Sequence, residues 1–476
     1  MQSGKVDLHL IVPMLLATAA LLSLATVPTH SMLSWLPSAL QTPLGLQANS
    51  LNNTSANSQS SLPNLNVISY WGQSQIRDIS QYYFQALKQD YLIGDAMQRV
   101  PEDVTEVDGS AVEDLGGLEF PRRLWDSSGL VPEMDKRNFS SMPEWEFEDM
   151  YRRERAFTTT MCEQSVRKPE DPEYKNAHIP DILLFLQKGD VNVSEWNRLY
   201  HFNNPFGFMG YPNYTLVKEA VDVIPKLTST QLLPVPRGAR DGCIRCAVVG
   251  AGGILNGSRM GKEIDSHDYV FRVNAAITAG HEDDVGTRTS VYVHTAHSII
   301  SSLMLHKKRG FTEVPHDQGI KYVLIPEAPR DYNFLIYLMK NTKIPSGPYR
   351  GRAPRNYYGG HFDERSYYVL HPDFLRYVRN RFLKARSLTG RRWYMFRPTN
   401  GAFTLFLALH TCDIVRTYGF STLDHNNYPN YYYDSQHTRM VFFANHDYRL
   451  EMRTWKKLHD RRIMWLYQGK AGDSGS

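Results

Sequence analysis

Cys246-Ala-Val-Val-Gly-Ala-Gly-Gly253 is the stretch on which the fold of this chain turns. Its first half is a short β-branched run and its second half holds three glycines, the pattern of a buried strand running into a tight turn. A helical pattern follows over 256–264, so the unit reads strand, glycine turn, helix. Glycines admit close approach and amides at a helix start suit a phosphate, although the same residues also make a plain structural turn. The dinucleotide fingerprint GxGxxG is not completed, because Leu255 stands in place of its third glycine, and a nicotinamide-dependent oxidoreductase is disfavoured.

Outward from this unit, strands are expected at 269–273, 321–325 and 414–420, with a strongly apolar helix at 402–412 between the last two. Apolar runs also occur at 181–187 and 231–235. Tyr448, Met452, Trp455 and Leu458 recur at helical spacing directly after His446. Strands alternating with helices imply an α/β domain with a largely parallel, Rossmann-like sheet flanked by helices, over 156–470.

The remainder of the chain has a different character. Residues 9–27 (HLIVPMLLATAALLSLATV) contain no Asp, Glu, Lys or Arg. At about 1.5 Å per residue, ~19 residues span roughly 29 Å, the thickness of a bilayer core. We read 1–8, with Lys5, as a cytosolic tail and 9–27 as a transmembrane signal-anchor rather than a cleaved signal peptide. Residues 37–66 carry no charge and no period, so 28–155 reads as a stem and membrane-proximal extension. The net charge of +4 on 476 residues gives no case for nucleic-acid binding, but allows a local pocket for an anion.

An even count of four cysteines, Cys162, Cys243, Cys246 and Cys412, reads as two bridges in a secretory chain. Cys243 and Cys246 also have the spacing of a redox pair or half a zinc site. N-glycosylation triplets occur at Asn52, Asn53, Asn138, Asn192, Asn213 and Asn256.

Four segments in order give the chain a family likeness. Residues 246–253, 264–274 and 284–289 resemble the long "L" motif of the animal sialyltransferases. Arg397-Pro-Thr-Asn-Gly-Ala402, 408–413 and 418–420 resemble the short "S" motif. Asn430-Tyr-Tyr-Tyr-Asp434 stands at the third motif, and His446 with Glu451 matches the "very short" motif. Phe202–Phe208, 370–377 and 465–468 are similar to the GalNAc α2,6-sialyltransferases.

The resemblance implies a modified GT-A fold and an inverting, metal-independent transfer of sialic acid, with no cofactor. The donor is CMP-sialic acid, and the acceptor is the 6-hydroxyl of GalNAc O-linked to a glycoprotein. It implies His446 as general base and Glu451 as motif acid. Gly252, Asn274, Thr399, Asn400, Gly401 and Tyr431 are the implied donor-binding positions. Bridges Cys246–Cys412 and Cys162–Cys243 follow from it, as does a Golgi membrane location with the domain lumenal. A His at the start of a helix is also expected to stay neutral, because the positive helix end lowers its pKa.

Two positions depart from the family. Ala251 stands where the L motif has an Asn, and Tyr431 where the third motif has a His, for which His425 is a candidate substitute. These departures motivate the alternatives: another acceptor or linkage (galactose, glycolipid), or a catalytically weak pseudoenzyme.

Overall fold

Short runs of Val, Tyr, Phe and Ile build one parallel sheet, buried on both faces as such runs require. Its strands are β1 (Arg245–Val249), β2 (Tyr269–Val273), β3 (Val291–His294), β4 (Lys321–Leu324), β5 (Tyr367–Val369), β6 (Ile414–Tyr418) and β7 (Trp465–Leu466). They lie in the order β5-β4-β3-β2-β1-β6-β7, every neighbouring pair parallel. The computed structural model describes residues 129–469 apart from 158, 212 and 227–230. The tail, the apolar segment 9–27, the stem up to 128, and Asn52 and Asn53 lie outside the described residues. Among the described residues no helix is long and apolar enough to cross a membrane.

The helices that matter below are α1 (Val193–Tyr200), α2 (Ala296–Leu305), α3 (Pro372–Arg381), α4 (Asn400–Thr411) and α5 (Tyr448–Asp460). The chain moves from β1 outward to β5, then returns through α4 to β6 on the other side of β1. Such a reversal leaves a crevice at the C-terminal edge of the sheet, where ligands bind in open α/β folds. Helix α4 packs against β1, β2 and β6. It is apolar all round because it is buried all round, from Ala402 to Thr411.

One expectation is corrected. The helix read over 256–264 is a short 3₁₀ turn at Gly253–Leu255 and a helix only at Gly261–Ser266. Gly257 and Arg259 adopt φ of +71° and +61°, and the Asp284 carboxylate accepts both their amides at 2.7 and 2.9 Å, which holds a turn in place of the helix. The apolar run at 181–187 contributes single bridges, Ile182 to Arg153 and Phe185 to Leu370, but no strand of the sheet. The run at 231–235 forms no helix or strand. Three short strands, β3, β5 and β7, were not read from the sequence. With two to four residues each they carry too little period to be seen.

Both disulfides form as expected, Cys246–Cys412 joining β1 to the end of α4 and Cys162–Cys243 tying an N-terminal loop to β1's approach. With every cysteine paired, the redox and zinc readings of Cys243 and Cys246 fall away. Residues 129–155 pack against the sheet-bearing body. Glu146 is fully buried and pairs with Arg379 at 2.9 Å. Asn138, Asn192, Asn213 and Asn256 are all exposed. Asn192 and Asn213 cap helices through their side-chain oxygens, whereas Asn256 donates its Nδ2 to the Tyr432 carbonyl at 2.8 Å.

Candidate active site

The glycine turn after β1 meets the end of β6. Gly250 donates to the Tyr418 carbonyl at 2.8 Å, and Gly252 to the Gly419 carbonyl at 2.9 Å. A Cβ at Gly250 or Gly252 would lie 2.6 Å from the Gly419 oxygen, and one at Gly253 only 1.9 Å from the Pro429 oxygen. These glycines therefore answer to backbone packing on backbone. The third-motif segment crosses the same turn, with Tyr431 bridging Gly252 and Tyr432 donating to the Ala251 carbonyl at 3.2 Å.

Beside it α4 begins. Thr399 is its N-cap, accepting from the Ala402 amide at 3.1 Å. Glu451, buried on α5, accepts both the Thr399 N–H and its hydroxyl at 2.7 Å. Burial pushes the Glu451 carboxyl up to about 7, against the pull of those two bonds. Asn400 donates through Nδ2 to the Asn274 side-chain oxygen at 2.9 Å. Asn274 follows β2 at φ +56°, and its carbonyl accepts the Tyr292 hydroxyl at 2.6 Å. A Cβ at Gly401 would meet only Thr399 Oγ1 at 3.6 Å and Phe420 at 3.7 Å, ordinary contact. Among the described residues no contact requires glycine there.

His446 stands just before Asp447, the N-cap of α5. Its Nδ1 lies 2.8 Å from the Arg397 carbonyl. A carbonyl only accepts, so Nδ1 of the neutral ring holds the proton and Nε2 keeps its lone pair. Burial, then the Arg397 charge, lower the ring's pKa to about 4, opposed by that hydrogen bond and by Glu327. The expected neutrality is present, with burial as its main cause. Arg397 is strapped in turn: its amide donates to the Asn445 carbonyl at 3.0 Å, and its guanidinium pairs with Glu327 at 2.9 Å. Glu327 is itself buried, which would raise its pKa, but Arg397 and Arg330 hold it near 2. Sequence reading missed Glu327, since nothing in the IPE run after β4 marks it.

Tyr431 stacks on Tyr433 with ring centroids 5.0 Å apart, and the His306 ring approaches it edge-on at 6.2 Å. Arg309 pairs with Asp434 at 3.2 Å and lies over Tyr433, holding the segment. The imidazole against Tyr431 is thus His306, at the end of α2. The ring of His425 lies on Phe442 at 5.3 Å. No local sequence signal links 306 to 431, because only the fold brings them together.

Glu195, His371 and Asp373 also come within metal-ligand reach of one another. Arg198 and Arg376 stand 2.7 and 3.0 Å from Asp373, and Arg152 3.7 Å from Glu195. Guanidinium groups already neutralise these carboxylates, so the donor set suits a buried ion network rather than a cation.

The family model described as glycosyltransferase family 29 (sialyltransferase) matches residues 185–463. The chain is 46% identical over 336 residues to the chicken (Gallus gallus) alpha-N-acetylgalactosaminide alpha-2,6-sialyltransferase 1, covering 70% of this chain and 59% of that one. It is 42% identical over 310 residues to the mouse (Mus musculus) alpha-N-acetylgalactosaminide alpha-2,6-sialyltransferase 2, covering 65% of this chain and 83% of that one. A crystal structure of a mammalian sialyltransferase is similar at 24% identity and a TM-score of 0.46, covering 67% of this chain and 100% of that one.

Proposed function

This chain belongs to glycosyltransferase family 29, the sialyltransferases, and from that premise we propose that it transfers sialic acid from CMP-sialic acid to the 6-hydroxyl of GalNAc on Ser or Thr of a glycoprotein. The observation that carries the chemistry is the His446 Nδ1 bond to the Arg397 carbonyl, which leaves the lone pair of the neutral ring on Nε2. In the proposed step Nε2 takes the proton of the acceptor hydroxyl while that oxygen bonds to C2 of sialic acid. The bond from C2 to the phosphate oxygen breaks on the opposite face, and its electron pair leaves on CMP. The configuration at C2 inverts.

The first residues of α4, Asn400 and Gly401, have no carbonyl within the helix for their amides, and such groups favour a phosphate. Glu451 acts by positioning Thr399, and Asn274 by orienting the Asn400 amide. Tyr431, whose backbone bridges Gly252, brings a phenol to this segment in place of an imidazole. The acceptor reading is supported by the two relatives, both named for alpha-N-acetylgalactosaminide. We take the reaction to need no metal, as the family resemblance implies. The same reading places the domain in the Golgi lumen behind a single membrane helix at 9–27, in keeping with two disulfides.

The test is incubation with CMP-sialic acid, a GalNAc-O-peptide and EDTA, with CMP release followed and the product linkage identified. Transfer to O6 is expected, and His446→Ala should lower kcat/KM by ~10²–10⁴ at unchanged Tm. CMP binding without transfer to this or a Gal-GalNAc acceptor would instead support the pseudoenzyme reading that Ala251 and Tyr431 raise.

A further inference from the structure

Helix α5 starts two residues after His446, and its solvent face is basic. Arg449, Arg453 and Lys456 are exposed and stand in one row at i, i+4 and i+7. Lys456 shares its charge with Asp460 at 2.8 Å, and Lys457 and Arg461 share theirs with Glu173 and Asp171. Arg449 and Arg453 have no carboxylate partner among the described residues. Like charges one turn apart disfavour a helix, so α5 gains nothing from holding them.

The surface beside this row is apolar. Val441, Phe442 and Phe443, three to five residues before the histidine, are exposed by 51, 49 and 44%. The Phe443 carbonyl accepts the His446 amide at 3.2 Å, and the Phe442 ring lies 5.1 Å from that of Tyr448, the first residue of α5. Leu423, also exposed, lines an open groove with Arg453 and Lys456. An apolar and then cationic strip therefore runs from the base along α5.

We propose that this strip binds the polypeptide of the acceptor and that Arg449 and Arg453 select Asp or Glu near the glycosylated residue. The inference rests on the acceptor reading above. A GalNAc whose 6-hydroxyl reaches His446 carries its peptide within one sugar's width of that histidine. Arg449 and Arg453 lie roughly 5 and 10 Å along the helix from it. An extended peptide advances about 3.3 Å per residue, which puts the selected carboxylates about two to three positions from the modified Ser or Thr.

The full chain in detergent micelles, given CMP-sialic acid and three GalNAc-peptides with neutral, Glu or Lys flanks, tests this. The Glu peptide is expected to have a roughly 3–5-fold higher kcat/KM than the neutral one, the scale of an exposed ion pair. The difference should vanish near ~1 M salt, where screening acts within about 3 Å. In Arg449→Glu/Arg453→Glu, at unchanged Tm, the preference should turn to the Lys peptide. Equal kcat/KM across the three flanks, or a Glu preference that the double variant keeps, overturns the proposal while leaving the acceptor reading intact. Flank-independent turnover together with variant-sensitive binding to phosphatidylserine vesicles would assign the strip to anionic lipid and overturn it likewise. No transfer to any of the three peptides would overturn the acceptor reading itself and this inference with it.

Discussion

Gly250, Gly252 and Gly253 after β1 and Gly401 at the start of α4 stand at the same edge of the sheet, in the two motifs that a disulfide between Cys246 and Cys412 ties together. In the first group a side chain would drive into a backbone oxygen at 2.6 Å or less, so the fold itself demands glycine. At Gly401 a methyl group would find ordinary contacts at 3.6 and 3.7 Å, so packing among the described residues makes no such demand. The phosphate-cradle reading of a glycine-rich turn is thus shared unequally: the turn builds the crevice, and the helix start is left open for what enters it. Residue type alone does not separate these roles.

The contrast is open to being broken. The largest effect is expected for Gly253→Ala, whose Cβ would sit 1.9 Å from the Pro429 oxygen. Displacing backbone there should destabilise the protein by ~3 kcal/mol, at the upper end for overpacking, read as a lower Tm with activity lost in proportion to folded protein. Gly401→Ala should separate the two properties. Ala is the better helix former, so stability should hold or rise by up to ~1 kcal/mol. The donor KM should nevertheless climb about 10-fold, about 1.4 kcal/mol, with the acceptor KM unchanged. A parallel fall in Tm and donor affinity would place Gly401 with the structural glycines and erase the distinction.

The smallest effect sharpens the other half of the site. The proposed base His446 can take a proton only when neutral, and its pKa is lowered to about 4 by burial and Arg397. Activity is therefore present above that value and lost as pH falls through it. The acid limb of kcat/KM should lie near 4 rather than at the ordinary His value of about 6.5, with a change of less than about 2-fold between pH 7 and 5.5. A limb near 6.5 would mean that the histidine is solvated as an ordinary surface imidazole.

Legibility followed distance along the chain. The strand at 246–249, the helix behind Thr399 and the helix after His446 were readable because their periods and caps are local. Gly257 and Arg259 defeated the helix read at 256–264, since the carboxylate that holds their turn belongs to Asp284. The short strands β3, β5 and β7 need their neighbours to exist at all. His446 and Glu451 were legible as motif residues, but their partners were not. Glu327 reaches His446 through Arg397, and His306 meets Tyr431, only across the sheet's edge.

By itself the sequence determined the α/β class, the family likeness, the cysteine pairing that the likeness implies, and the candidate base, because each rests on residue order or on contacts a few positions apart. Tertiary structure alone decided which glycines serve packing, which ring nitrogen of His446 keeps its lone pair, and that two arginines after it find no carboxylate among the described residues. Those properties depend on what stands within about 4 Å in space, the range of contact and of hydrogen bonding, and chain order carries no record of that.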